Sequence, residues 1–555
     1  MALTAQAAPV HQKRRIISFW SIGALIVAAL IALPIVAVLA QVFVPSDGAW
    51  AHLAATVLPR YLRNSLMLVV LTVALASAMG VGAGWLIAGF DFRGRGVLQW
   101  ALMLPMTMPG YVIAYVYFDR LAYAGPVQTA LREVFGWQRG DYWFPQVASL
   151  PGAAVLLALV LYPYIYLLTR AAFATQSLHL IEAARALGHS RRGAFFRVAL
   201  PMSRPAMVAG ASFVAMETLA DYGTVQHLGV QTLTTGIFRT WFARGEPVAA
   251  AQLAAMLIGF VALALVLERF LRGSRRYVGD PGGRSAAARH SLRGWRAALV
   301  MGLCAFPILA GFVIPVAELI RLTLVVGDPM WGPRFFAFAG NSLTLAALAA
   351  VVLLGLGLFL GYARRMDGGR LVRIVLGVAG IGYAMPGAVI AVGVLLPLSW
   401  ADTTLDAWMR ASFGISTGLL LTGSYVGLIF AYAVRFLSIS MNTIDASLQR
   451  IPHSLDDAAR GLGSGPGRTL FSVHLPLLRG GLLTAAIFIF ADVMKELPAT
   501  LIVRPFNLDT LAIRTYRLAS DGRLAEASTS ALLLVALGII PVIVLSRAMD
   551  EPAAH

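Results

Sequence analysis

The chain has 555 residues, 59% of them hydrophobic and 13% charged, against about 25% charged in an average soluble domain. That balance excludes an ordinary water-soluble globule and points to a membrane protein. The net charge of +18 does not imply nucleic acid, because no polar segment interleaves a basic groove with aromatics; the arginines instead flank apolar windows, the pattern that orients helices in a bilayer.

A transmembrane helix needs roughly 20 mainly apolar residues, and twelve windows qualify. In chain order they are Ile16–Val44, Asn64–Phe90, Val97–Phe118, Ala148–Leu168, Pro205–Tyr222 and Val248–Phe270, then Ala297–Leu322, Asn341–Ala363, Leu371–Trp400, Gly414–Val434, Leu477–Val503 and Ala527–Ser546. The first follows Lys13, Arg14 and Arg15 but is much longer than the apolar core of a signal peptide, so an uncleaved first helix is expected. With the N-terminus cytoplasmic, the dense basic segments all fall inside: 13–15, Arg93 and Arg95, 185–204, 269–296, 364–373 and 435–479. Twelve spans return the C-terminus to the same side. Cys304, the only cysteine, lies in an apolar window, so neither an intrachain disulfide nor a thiolate metal site is possible. The Gly-, Ser- and Arg-rich stretch 271–296 interrupts the hydrophobic pattern and reads as a cytoplasmic linker.

The two sides of that linker repeat each other. Asn64-Ser65-Leu66 recurs as Asn341-Ser342-Leu343, and Met108-Pro109-Gly110 as Met385-Pro386-Gly387, both 277 residues later; Glu182, Gly188 and Pro201 match Asp457, Gly463 and Pro476 at 275. The expected architecture is therefore an all-α polytopic membrane protein of about twelve spans in two parallel six-helix repeats, 1–270 and 297–555. Parallel repeats of this kind are a transporter architecture with the substrate path at the pseudo-two-fold interface. Pro109 and Pro386, each followed by glycine inside an apolar window, are expected to break or kink their helices.

Two polar segments, 179–204 and 454–479, share a pattern. Ser454 and Asp457 have the spacing of a helix cap and its third residue, with His179 and Glu182 in the other copy. Ala183-Ala184 and Ala458-Ala459 continue a short helix, Gly188 and Gly463 end it where a positive φ is cheapest, and a second amphipathic turn leads to Pro201 and Pro476. Positive-inside bias or interfacial adsorption would explain one such loop, but not two with identical internal spacing.

Glu182-Ala183-Ala184, Gly188 and Leu200-Pro201, with Asp457-Ala458-Ala459, Gly463 and Leu475-Pro476, resemble the EAA loops of ABC-importer permeases. The second copy departs from the pattern in having Asp for Glu. The resemblance covers nearly the whole chain and implies a type I importer permease fold, in which each loop forms a coupling helix docked on an ATP-binding subunit. Fusion of two modules, with "METLADYGTV" (216–225) and "DVMKELPATLIVRPFNLDTLAIRTY" (492–516), is similar to the fused ferric-iron permeases; the thiamine permease is a related alternative. The implied partners are a homodimeric ABC ATPase, a periplasmic substrate-binding protein and the lipid bilayer of the bacterial inner membrane. The chain's own lysines, Lys13 and Lys495, lie in no phosphate-binding loop, so ATP and Mg belong to the partner and this chain has no cofactor and no catalytic residue of its own.

Ionisable residues inside spans are functional hypotheses by default. Glu217 and Asp221 in the fifth window and Asp492, Lys495 and Glu496 in the eleventh are candidates to line or gate the path, their carboxylates suited to a hard cation; a structural ion pair through Lys495 is the competing reading. The remaining His, Tyr and Met residues show no metal-ligand spacing. A proton-coupled carrier would also have twelve spans and membrane carboxylates, but would have no use for two spaced coupling loops.

Overall fold

The computed structural model describes residues 18–46, 48–175, 186–188, 190–272, 290–328 and 331–550. Among these, ten helices are long and apolar enough to cross a membrane. Two further pairs, Arg95–Thr107 with Gly110–Phe135 and Phe195–Met202 with Arg204–Ala220, pass the same test only as bent pairs, at 89° and 63°. The described residues are all-helical apart from one two-residue parallel pairing, Phe90–Asp91 with His290–Ser291, which ties the end of the inter-repeat segment back to the first half. The rest of that segment, 273–289, and the basic residues 13–15 lie outside the described residues.

The proline-glycine steps do break their helices, and in the same way twice. Arg95–Ala101 is followed by a 3-10 turn, Leu104–Thr107, and a new helix from Gly110; Arg370–Ala379 is followed by Ile381–Ala384 and a helix from Gly387. Proline removes a backbone donor and pushes the preceding residue out of the α region. Irregular backbone of this kind is tolerated at membrane depth only when enclosed by protein or lining a cavity.

Two windows need correction. The span expected at Gly414–Val434 is Tyr425–Leu448: Gly414, Gly418 and Gly423 all adopt positive φ, making 414–424 a loop whose last residue, Ser424, caps the helix through Gly427 N–H. Leu477–Val503 is not continuous either, since its helix ends at Lys495 and a short helix, Pro498–Val503, follows. The fifth window behaves alike, ending at Ala220 before Gly223–His227.

The repeat is physical as well as textual. Asn64 donates to the Gln231 carbonyl at 2.9 Å and Asn341 to that of Asp509 at 3.2 Å, while Ser65 and Ser342 accept from the N–H groups of Leu233 and Leu511 at 3.0 and 2.8 Å. Gly80 and Gly84 face Leu150–Thr175 so closely that an added Cβ would meet Ile165 Cβ at 2.8 Å and Thr169 Oγ1 at 2.7 Å; Gly357, the twin of Gly80, would meet Ser440 Oγ at 2.2 Å. This spacing of small residues is a membrane helix-packing device.

The halves also exchange their first helices. Phe19–Ala40 packs on the second half: Ser18 donates to Asp367 Oδ2 at 2.7 Å, Trp20 meets Tyr362, and Gly393 lies against the Pro34 carbonyl. In return 295–325 packs on the first half, where Tyr117 donates to the Ala310 carbonyl at 2.7 Å and Arg120 pairs with Glu318. Each repeat therefore buries its apolar surface partly against the other, and the two do not form separate globules.

Candidate functional site

Where they are described, from residues 186 and 453 on, the two polar loops lead into equivalent helices, Arg204–Ala220 and Leu475–Lys495. In the second, helix His453–Gly461 starts from Pro452, with no side-chain cap; Ser454 sits inside its first turn, so the expected capping role is wrong, because the rigid Pro452 already sets the entry. The expected acid and its neighbour divide their work. Asp457 is exposed and reaches only Arg460, at 2.5 Å, whereas Asp456 is buried against Arg365, with Nε at 3.0 Å and Nη2 at 2.5 Å, and lies 3.0 Å from His474 Nε2. Arg365 also donates to the carbonyls of Leu448 and Ile451 at 2.7 and 3.1 Å. Burial alone would raise the Asp456 carboxyl; the Arg365 hydrogen bonds and charge overcome it and hold the group below the usual carboxylate range.

The helix stops where expected. Gly463, at φ 78°, donates to the Arg460 carbonyl and Ser464 to that of Ala459, both at 2.9 Å, the paired bonds of a Schellman end. Gly188 adopts φ 87°. Ahead of these glycines Leu187 and Leu462 stand 81% and 87% exposed, and Phe196 and Phe471 are exposed at matching places further on. Ala458 is exposed and Ala459 buried. Glu182, Ala183 and Ala184 lie outside the described residues.

Pro201 and Pro476 are both exposed but do not terminate a separate short helix. Pro476 is in the first turn of Leu475–Lys495, which continues from Pro466 through a π turn at Leu470–His474. In the first copy the chain bends by 63° at Ser203, because Pro205 stands where the second copy has Gly480 and removes a backbone donor.

The intramembrane candidates converge. Glu217, Asp221, Asp492, Lys495 and Glu496 all line one cavity of about 140 Å3 at the junction of the halves, with Arg435, Tyr164, Tyr383 and the Met108–Gly110 break. At the 275-residue offset Glu217 is the twin of Asp492, and Asp221 of Glu496. Each pair has its own task. Asp221 accepts from Thr224 Oγ1 at 2.9 Å and Val225 N–H at 3.1 Å; Glu496 accepts from the N–H groups of Ala499 and Thr500, each at 2.9 Å. Both cap the short helix that follows the break, a role a carboxylate fills well at a helix N-terminus. Glu217 and Asp492 have no such duty. Lys495 Nζ lies 2.9 Å from Asp492 Oδ1, and Glu217 faces the charges of Arg435 and Lys495.

Sequence reasoning missed Arg435 and an aromatic layer beside the cavity. The hydropathy window starts eleven residues ahead of helix Tyr425–Leu448 and so leaves Arg435 in a basic loop, whereas it lies mid-helix, with Nη1 3.9 Å from Glu496 Oε1. The glycine cluster 414–423 was the available signal. Tyr164, Phe213 and Tyr383 form an aromatic layer across the halves, with ring centroids 4.4 and 5.7 Å apart, one turn from Glu217 toward the loops. Nothing in their spacing marks them in the sequence.

Comparison with known proteins bears on the chain as a whole and on its two repeats. The model of the family described as binding-protein-dependent transport system inner membrane component matches residues 80–276 and again 353–551. An Fe(3+)-transport system permease protein of Haemophilus influenzae is 25% identical over 491 residues, 88% of this chain and 89% of that protein. A ferric transport system permease protein of Actinobacillus pleuropneumoniae is 23% identical over 465 residues, 79% of this chain and 64% of that protein. The molybdenum transport system permease protein of Escherichia coli strain K12 is 25% identical over 216 residues, 38% of this chain but 91% of that protein; a whole smaller permease thus corresponds to less than one half of the present chain.

Proposed function

The chain belongs to the binding-protein-dependent transport system inner membrane component family, and we propose that it carries ferric iron across the inner membrane. It is a multi-pass ABC transporter permease and is not itself catalytic; a system of this kind implies an ATP-hydrolysing subunit and a binding protein as partners. The proton-coupled carrier considered from sequence is set aside by that membership.

The chain divides into permease halves 1–270 and 297–555 joined by 271–296, with both termini cytoplasmic. Loops 179–204 and 454–479 dock on two copies of one ATPase, which binds ATP and Mg. Glu182, Ala183, Ala184, Gly188 and Pro201, and Asp457, Ala458, Ala459, Gly463 and Pro476, form the coupling segments. The observation that carries this is the matched pair of exposed apolar residues, Leu187 with Phe196 and Leu462 with Phe471, because large apolar side chains held out beside a rigid glycine turn fit a protein groove. The path runs through the Glu217–Asp492 cavity. Iron is favoured by the ferric transport permeases among the relatives and by two carboxylates with no capping duty, which suit a hard cation; thiamine or another small solute is the alternative.

Two measurements test it. Radio-iron and thiamine uptake are compared in vesicles carrying the chain with its ATPase and binding protein; iron uptake is expected, and thiamine uptake without iron uptake would overturn the cargo assignment. Co-purification of the ATPase is expected to be lost on Gly463→Pro or on deletion of 456–465, and its survival in both would overturn the coupling assignment.

A further inference from the structure

The cavity holds two symmetry-related acids but only one flexible cation. Glu217 and Asp492 are twins, whereas the twin of Lys495 is Ala220, so the ammonium is an addition of the second half alone. Its pair with Asp492 is not sealed in the core: the side chains are 32% and 19% exposed, against 12% and 1% for Arg435 and Glu496. Glu217 and Asp492 both act electrostatically on Lys495, and all three border the same 140 Å3 space. Without the ammonium, Asp492 would lose its 2.9 Å partner and the two acids bordering the cavity would be left with Arg435, which is costly at membrane depth. Lysine suits a replaceable partner: it is a point charge on a four-carbon stem with no fixed fork. Arg435, fixed mid-helix, acts on Glu217 as well and lies 3.9 Å from Glu496 Oε1; it has no contact with Asp492 like that of Lys495, 2.9 Å away.

We propose that Lys495 is a tethered stand-in for the cargo, its ammonium neutralising the Glu217–Asp492 pair while the path is empty and giving up that place to a hard cation in transit. The inference rests on the reading of this cavity as the path. Two carboxylates shared with a lysine suit a site of passage. A cation entering the pair displaces the ammonium to solvent in the cavity; as it leaves toward the loop face, the ammonium returns and prevents rebinding. The lysine thus sets both the charge selectivity and the weak hold that transport requires.

Terbium(III) alone, a hard trivalent probe whose emission is sensitised by nearby Tyr164 and Tyr383, tests this on the full chain in nanodiscs. Lys495→Met is expected to bind one Tb3+ at least about tenfold more tightly than the unmutated chain, and the gain is expected to vanish when Glu217→Gln and Asp492→Asn are added. Lys495→Gln carries the same expectation should the Met variant not assemble, and Lys495→Arg, which keeps the charge, is expected to bind as the unmutated chain does. Equal Tb3+ binding with and without the lysine charge, or a gain that survives loss of both acids, overturns the proposal. Undiminished iron uptake by Glu217→Gln/Asp492→Asn would instead remove the path reading beneath it.

Discussion

Replacing Arg365 by alanine would leave Asp456 charged and buried, and the carbonyls of Leu448 and Ile451 without their side-chain donor. The two side chains are only 5% and 6% exposed, so solvent cannot compensate. Breaking one partner of a buried pair costs about 3–5 kcal/mol. That cost falls on the junction of helices Tyr425–Leu448 and His453–Gly461, not on the whole fold, so the expected effect is local opening raised by about 100-fold or more. Hydrogen exchange of residues 449–465 measures it. Most of the penalty is the orphaned carboxylate, so Asp456→Leu added to Arg365→Ala is expected to recover part of the protection. Asp457→Ala, at an exposed pair, is expected to leave exchange unchanged. Unaltered protection in Arg365→Ala, or an equal loss in Asp457→Ala, would refute the reasoning.

The folded-state pKa of Asp456 is depressed below 3.8, so its stabilisation is complete above the unfolded value and is lost as pH falls through the folded one; protection of 449–465 is expected to drop below about pH 4 in the unmutated chain, with a smaller further change in Asp456→Asn. Gly382→Ala would place a Cβ 1.6 Å from the Val434 carbonyl oxygen; backbone cannot yield cheaply, and a loss of at least about 1–3 kcal/mol is expected, read as a lowered melting temperature. Gly463→Ala forces a left-handed residue at φ 78°, costing about 1–2 kcal/mol, with weakened ATPase retention as its readout. Glu182→Ala and Asp457→Ala are expected to reduce uptake unequally, because the second loop is clamped by Arg365, Asp456 and His474 while Ala88, Ile181 and Ala199 stand at the matching places of the first; equal defects would contradict this.

What could be read from the residues followed from strong local signals. Asn-Ser-Leu, Met-Pro-Gly and the spaced glycines appear twice because each does one fixed job twice, so the duplication and the helix breaks at Pro109 and Pro386 were legible. Hydropathy, however, does not register a chain reversal in apolar loops, and so the loop 414–424 was absorbed into a span and Arg435 was placed outside the membrane. The breaks after Ala220 and Lys495 were equally silent: Asp221 and Glu496 are polar enough to be noticed, but only their bonds to the following N–H groups distinguish a capping carboxylate from one free to meet a substrate. Asp456 and Asp457, adjacent and chemically identical, differ only in which helix face they occupy. The crossing of the first helices between halves arises from tertiary packing and has no sequence pattern of its own.

As proposed above, Glu217 and Asp492 form the cation path of an ATP-driven permease. Radio-iron uptake and ATP hydrolysis are to be measured together in reconstituted transporter carrying Glu217→Gln and Asp492→Asn. Hydrolysis and ATPase assembly are expected to persist while iron uptake is lost; uptake at the unmutated rate would refute the path.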